Sequence, residues 1–288
     1  MKLLFYKAEG GNFGDDLNDW LWDDLLPGWR GWDDAVTLVG VGTLLNEERL
    51  GPLRDRRLLI VGSGVGYGAQ EIGLPLPDTW DIRAVRGPQS ARALGLPPER
   101  GIIDPAVMVS ELDAFRAIPT AGPPIFVPHH ASLGRHDWAA ACAAAGLDYV
   151  SPAGEAHAVI ARIAAAPLVL AESMHGAIIA DAFRVPWVPL RVNHRFNAAK
   201  WRDWAGSLDL AFDIPPLFPT LDAAFAMLPK RRGLRVQRRL RVLAERPAVV
   251  RALRRAVQRP GLLSDAALYA RRKDALRAVL DAVRADYG

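Results

Sequence analysis

The sequence predicts an α/β protein of two Rossmann-like halves facing one another across a cleft, with a basic helical tail after them. Three observations carry this expectation. Short β-rich runs alternate with helical ones over most of the chain, glycine-rich loops follow several of those runs, and arginine accumulates near the C-terminal end. Half of the 288 residues are hydrophobic, which suffices for more than one core. The expected division is 1–110 for the N-terminal half, 111–228 for the C-terminal half and 229–288 for the tail.

In the first half the β-rich runs are 2–8, 35–45, 58–61, 82–85 and 102–107. Helical character falls at 15–26 and 88–94, where Pro88 suits a first helical turn. The joint is placed at 111–123, rich in Ala, Pro and Gly after the Asp104-Pro105 turn. The second half repeats the rhythm, with strands expected at 124–127, 149–150, 168–171 and 187–190 and helices at 137–145, 154–166 and 177–183. Such alternation implies mostly parallel sheets covered on both faces, whose ligands sit beyond the carboxyl ends of the strands. The loops that follow strands are therefore where chemistry is expected.

Charge is unevenly placed. Residues 229–288 carry 17 Lys plus Arg against 5 Asp plus Glu, which leaves 19 of the 36 basic and 27 of the 32 acidic residues to the rest of the chain. An acidic body with a basic tail predicts an anionic partner for the tail. In 230–259 that partner is expected to be an anionic membrane surface. Nucleic acid is not expected, because no binding motif accompanies the arginines and few aromatics interleave with them. Pro247 and Pro260 should break the tail into at least three pieces, the last of which packs on the body. The single cysteine, Cys142, excludes an internal disulfide and reads as a buried thiol in a reducing compartment. The opening apolar run ends at Lys7 and Glu9 and reads as a strand, and no run is long enough to cross a membrane. A cytoplasmic protein, peripheral on the inner face of the cell membrane, is the expectation.

Seven loops hold candidate residues. Gly10 to Asn18 follows the first strand, and its glycines and helix start suit an anion, with Asn12, Asp15 and Asp16 either binding or capping. Gly40-Val41-Gly42-Thr43 and Gly62-Ser63-Gly64-Val65-Gly66-Tyr67-Gly68 end strands in glycine without matching a dinucleotide fingerprint. Arg86 should project from a strand end, where a guanidinium binds carboxylate or phosphate well. His129 and His130 should point to opposite faces of a strand, which makes them poor joint metal ligands, and no metal site is expected. Glu172-Ser173-Met174-His175-Gly176 brings an acid or base, a hydroxyl and a helix start within one turn. Finally Arg191, Arg195 and Lys200 gather cations beside Trp201 and Trp204. A Ser-His-Asp hydrolase is disfavoured, because Ser173 and His175 share one tight turn and no nucleophile elbow is present.

In this order, these loops resemble the polysaccharide pyruvyl transferase family, and most closely its ketal-pyruvate transferases of exopolysaccharide synthesis. The matching pieces are Gly11-Asn12-Phe13-Gly14-Asp15-Asp16-Leu17-Asn18, Gly40-Val41-Gly42-Thr43-Leu44-Leu45, Val85-Arg86-Gly87-Pro88-Gln89-Ser90, Asp104-Pro105-Ala106, Val127-Pro128-His129-His130, Ser173-Met174-His175-Gly176-Ala177 and Lys200-Trp201-Arg202-Asp203-Trp204. The resemblance implies a glycosyltransferase-B-like pair of halves, phosphoenolpyruvate as donor, no further cofactor, and a saccharide acceptor on a lipid or a growing chain. It maps a catalytic histidine and arginine onto His175 and Arg86. Ser173, Arg191, Arg195, Lys200 and Gly42 are then expected at the donor, and Asn12, Asp15, Asp16, Glu172, His129 and Trp201 at the acceptor. Where the family often has three glycines in a row, this chain has Gly40-Val41-Gly42. Two other readings fit the same fold: a glycosyltransferase using a nucleotide sugar, and a non-catalytic binding protein of a polysaccharide pathway.

Overall fold

The computed structural model describes residues 1–66, 72–192, 196–217 and 235–288, with the side chains of all of these except 235–245. Two compact units form, each from separated stretches of chain. One comprises Met1–Arg116, Asn197–Phe212 and Ser264–Gly288; the other comprises Ala117–Phe196 and Asp213–Leu263.

In the first unit, β1 (Lys2–Leu4), β2 (Val36–Val39), β3 (Arg57–Val61) and β4 (Trp80–Ala84) form a parallel sheet in sequential order. After Arg57, every residue of β3 is buried, the continuous apolar run that a doubly covered parallel strand requires. Helices α1 (Phe13–Asp16) and α2 (Asn18–Leu25) follow β1, α3 (Glu47–Leu50) follows β2 and α4 (Pro88–Ala93) follows β4. The β-rich run expected at 102–107 is instead a 3-10 helix, Pro105–Glu111. Pro105 has no N–H to give a strand ladder, and the Asp104 carboxylate accepts the Ala106 N–H at 3.0 Å, so the chain turns there.

In the second unit, β5 (Ile125–Val127), β6 (Asp148–Tyr149), β7 (Val169–Ala171) and β8 (Trp187–Pro189) form a second parallel sheet in the order β6-β5-β7-β8. Helices α5 (Trp138–Ala145), α6 (Ala156–Ala165) and α7 (Met174–Ala182) connect these strands. Parallel sheets are what the alternation of the sequence predicted, and each has four strands, one fewer in the first unit than the β-rich runs expected there. Phe126, Trp138, Cys142, Leu170, Val188 and Leu253 share one core. Burial there pushes the Cys142 thiol up to about 12, so the residue is an inert apolar filler, as its alanine-rich setting suggested.

Three further helices complete the chain: α8 (Ala198–Ser207) and α10 (Ala266–Tyr287) in the first unit, and α9 (Arg235–Val257), of which the described side chains lie in the second. The break expected at Pro247 does not occur, because α9 runs through it. The proline removes one N–H, but Val249, Ala252, Leu253 and Ala256 are buried on the same helix and hold it in place. The chain does leave the helix before Pro260.

Candidate active site

Because both sheets are parallel, the loops after their strands gather at one edge of each. In the first unit these loops are tied together by side chains. Asn18, fully buried at the start of α2, donates to the carbonyl of Val41 at 3.0 Å and accepts the Val41 N–H at 2.7 Å. A methyl group at Gly40 would overlap its Oδ1, so glycine is needed where that side chain crosses. Asn12 donates from its backbone to Asp16 at 2.8 Å and from its amide to Asp15. This loop is half-buried, and Asp15 Oδ1 lies beside Gly42, which has a φ of +133°.

Arg86 does not project into solvent. It is 0% exposed, with Nε 3.0 Å from Asp203 Oδ2. Its Nη1 donates to Thr43 Oγ1 at 2.8 Å and its Nη2 to the Val65 carbonyl at 2.7 Å. These bonds commit all three guanidinium nitrogens, which differs from the expectation of a guanidinium open to a ligand. Gly64 leaves room for it, since a methyl group there would overlap the guanidinium. Asp203, on α8, also accepts the Ser90 N–H at 2.9 Å and the Ser90 hydroxyl at 2.5 Å, and so caps the start of α4. Gly87 is required by the same contact, because a methyl group would overlap the Asp203 carbonyl. Lys200, one helical turn before Asp203, is buried, and Asn197 caps their helix while donating to the Gly66 carbonyl. Trp201 and Trp204 are 0% exposed and pack edge to face. Trp201 is therefore a core residue rather than a sugar platform, because α8 turns its apolar side inward.

In the second unit, His175 stands in the first turn of α7, which begins at Met174 rather than at 177. The difference comes from Ser173, whose hydroxyl accepts the Gly176 N–H at 3.3 Å and starts the helix early. His175 is 7% exposed, close to the carboxyl edge of the sheet. Glu172 is fully buried at the end of β7, where Oε1 accepts the Val192 N–H at 2.7 Å and Oε2 accepts the His129 N–H at 3.0 Å. It thus binds the loops after β5 and β8 to β7, a framework role rather than the expected contact to an acceptor hydroxyl. His129 and His130 do not point to opposite faces. The strand ends at Val127 and the chain enters a 3-10 turn, which brings the two rings to 4.2 Å at 36°.

Arg191 is half-buried where the chain after β8 pairs with Pro216. Arg195, with His194, lies outside the described residues. Among the described residues no group of three or more His, Cys, Asp or Glu could hold a metal ion. Asp203, Ser90 and Asn18 are the residues whose importance the sequence reading missed. A signal was present: an arginine and an aspartate of opposite charge stand in two separate motifs, each next to glycine or tryptophan.

Residues 12–194 match the family described as polysaccharide pyruvyl transferase. Over 320 aligned residues, spanning 100% of both chains, the sequence is 42% identical to the succinoglycan biosynthesis protein ExoV of Rhizobium meliloti (strain 1021).

Proposed function

Since the chain belongs to the polysaccharide pyruvyl transferase family, we propose that it moves a pyruvyl group from phosphoenolpyruvate to a sugar of an exopolysaccharide, or of its lipid-linked precursor, as a ketal. The glycosyltransferase-B-like arrangement, the phosphoenolpyruvate donor and the lipid-linked acceptor belong to this proposal together. The observation that carries it is His175 in the first turn of α7, its backbone fixed by the Ser173 cap and by Glu172 at the end of the preceding strand.

In this reading His175 protonates the methylene carbon of phosphoenolpyruvate and creates an oxocarbenium-like centre at C2. One sugar hydroxyl adds to that carbon, and a second then displaces the phosphate. Of the two hydroxyl protons, one restores His175 and the other leaves with the phosphate, so the reaction balances without a redox partner. In the second unit Arg191 and Arg195, with the Ser173 cap, supply charge to the donor's phosphate and carboxylate, and in the first unit Lys200 and the Gly42 backbone are the donor residues. Asn12, Asp15, Asp16 and His129 are left for the acceptor. Arg86 acts as framework, since its donors are spent inside the protein.

Incubation with phosphoenolpyruvate and a panel of lipid-linked oligosaccharides tests the proposal directly. Phosphate release should match, mole for mole, a pyruvyl mass gain on one acceptor. His175→Ala should lower the rate by roughly 10²–10⁴-fold, the usual contribution of a positioned general acid. Turnover of a nucleotide sugar in place of phosphoenolpyruvate would refute it.

We further propose that the basic stretch 230–259 rests on an anionic membrane surface. Arg251, Arg255 and Arg259 recur every four residues and are exposed, while Val249, Ala252, Leu253 and Ala256 face inward. Residues 230–234 and the side chains of 235–245 lie outside what the structure describes. No helix among the described residues is long and apolar enough to cross a membrane.

A further inference from the structure

Arg86 and Asp203 are 117 residues apart in sequence, yet both are buried, with side-chain exposures of 0% and 2%. Around them runs a closed set of bonds. The Val65 N–H donates to Ser90 Oγ at 3.0 Å, the Ser90 hydroxyl donates to Asp203 Oδ2 at 2.5 Å, and Arg86 returns from Asp203 to the Val65 carbonyl at 2.7 Å. Both the N–H and the carbonyl of Val65 are therefore held, at the centre of Gly64-Val65-Gly66, by side chains from other elements. The same guanidinium holds Thr43, and Asp203 shares α8 with Lys200.

Such an arrangement is costly to build unless the loop geometry matters. A surface glycine loop gains little from a buried ion pair, whereas loops that receive an anion beside a lysine gain from being held in one shape before it arrives. We infer that Asp203 and Ser90 are positioning residues for the donor: through Arg86 and Val65 they hold the 40–43 and 62–66 loops and the Lys200 helix as one preformed anion cradle. This rests on the pyruvyl transfer proposed above. Neither residue contacts the donor itself, and their effect is on how ready the loops are to receive it.

The test uses the full-length protein and Ser90→Ala, which deletes one hydroxyl without unpairing a charge. Asp203→Asn serves as a second variant for as long as it remains folded. The readouts are KM and kcat for phosphoenolpyruvate, thermal unfolding, and hydrogen exchange of the peptide that contains Val65. Ser90→Ala should raise KM about tenfold with kcat within about twofold of wild type, a change of roughly 1.4 kcal/mol in donor binding. Exchange at Val65 should quicken while the β3 amides keep their protection. Equal KM and equal Val65 exchange in Ser90→Ala and wild type would overturn the inference, as would a fall in kcat alone. If the wild-type protein neither binds nor consumes phosphoenolpyruvate, the proposed reaction fails instead. Unchanged exchange at Val65 would then still decide the loop-holding claim by itself.

Discussion

Glu172 is a carboxylate whose two oxygens are both spent on backbone N–H groups, at 2.7 and 3.0 Å. Glu172→Gln keeps the shape but turns one acceptor into a donor that faces an N–H. The loss should be about 1–3 kcal/mol, the cost of leaving a buried group unsatisfied. Urea unfolding would show it as a lower midpoint at unchanged slope, and a shift below about 0.5 kcal/mol would remove Glu172 from the framework. At this scale the sequence was informative about place and less so about role. His175 and Ser173 could be placed at a strand-to-helix turn because an apolar run that ends in polar residues before a helical one marks such a turn. Arg86 and Trp201 were assigned to ligands because residue type alone cannot say which way a side chain turns. Arg86 is turned inward by a partner far away in sequence, Asp203, and Trp201 by the packing of α8, where it meets its near neighbours Trp204 and Phe212.

For whole elements the alternation of apolar and helical runs was a reliable guide, because strands buried on both faces must be apolar throughout. Boundaries moved where one side chain decided them. Ser173 started α7 three residues early, and Asp104 with Pro105 replaced an expected strand by a 3-10 helix. Helix α9 shows the opposite effect, as packing carried it through a proline that local preference would have made its end. Its outer face supports a prediction about membranes. Replacing Arg251 and Arg255 of the helix, and Arg259 just after it, by Gln should weaken sedimentation with anionic phospholipid vesicles at low salt by roughly a hundredfold, at about 1 kcal/mol per arginine. Neutral vesicles should not distinguish the two proteins. Equal partition onto anionic vesicles would end the membrane proposal for this helix.

Across the whole molecule, the first unit is closed by the last helix of the chain. Leu276, Leu280 and Val283 of α10 are buried, Arg272 donates to the Ser207 carbonyl at 2.7 Å, and Tyr287 donates to Asp81 at 2.9 Å. Lys273 and Arg277 both pair with Glu111. Burial of Glu111 works against its charge, but bonds from Lys273 and Arg277 outweigh it and hold the carboxyl below its ordinary 4.5. Burial, followed by the bond to Asp81, pushes the Tyr287 hydroxyl from 10.0 up to about 12. The signs are opposite. A depressed carboxyl stabilises the fold above 4.5 and loses that contribution as pH falls through its lower folded value, whereas a raised phenol stabilises below 10 and loses it between 10 and 12. Stability measured against pH should therefore fall at both ends. Glu111→Gln should flatten the acid limb and Tyr287→Phe the alkaline one, and limbs unaltered by these changes would show that α10 docks by its apolar face alone.

The closing of that unit by α10 also sets an order of events during synthesis. Residues 1–116 are followed in the chain by most of the other unit, 117–196 and 213–263, and their own unit is completed only by two later pieces, 197–212 and 264–288. Arg86 meets Asp203 only after more than a hundred further residues have been added. Until then a guanidinium destined for the interior stands in water beside an open glycine loop. The first unit thus starts earlier in the chain than the second and is completed after it.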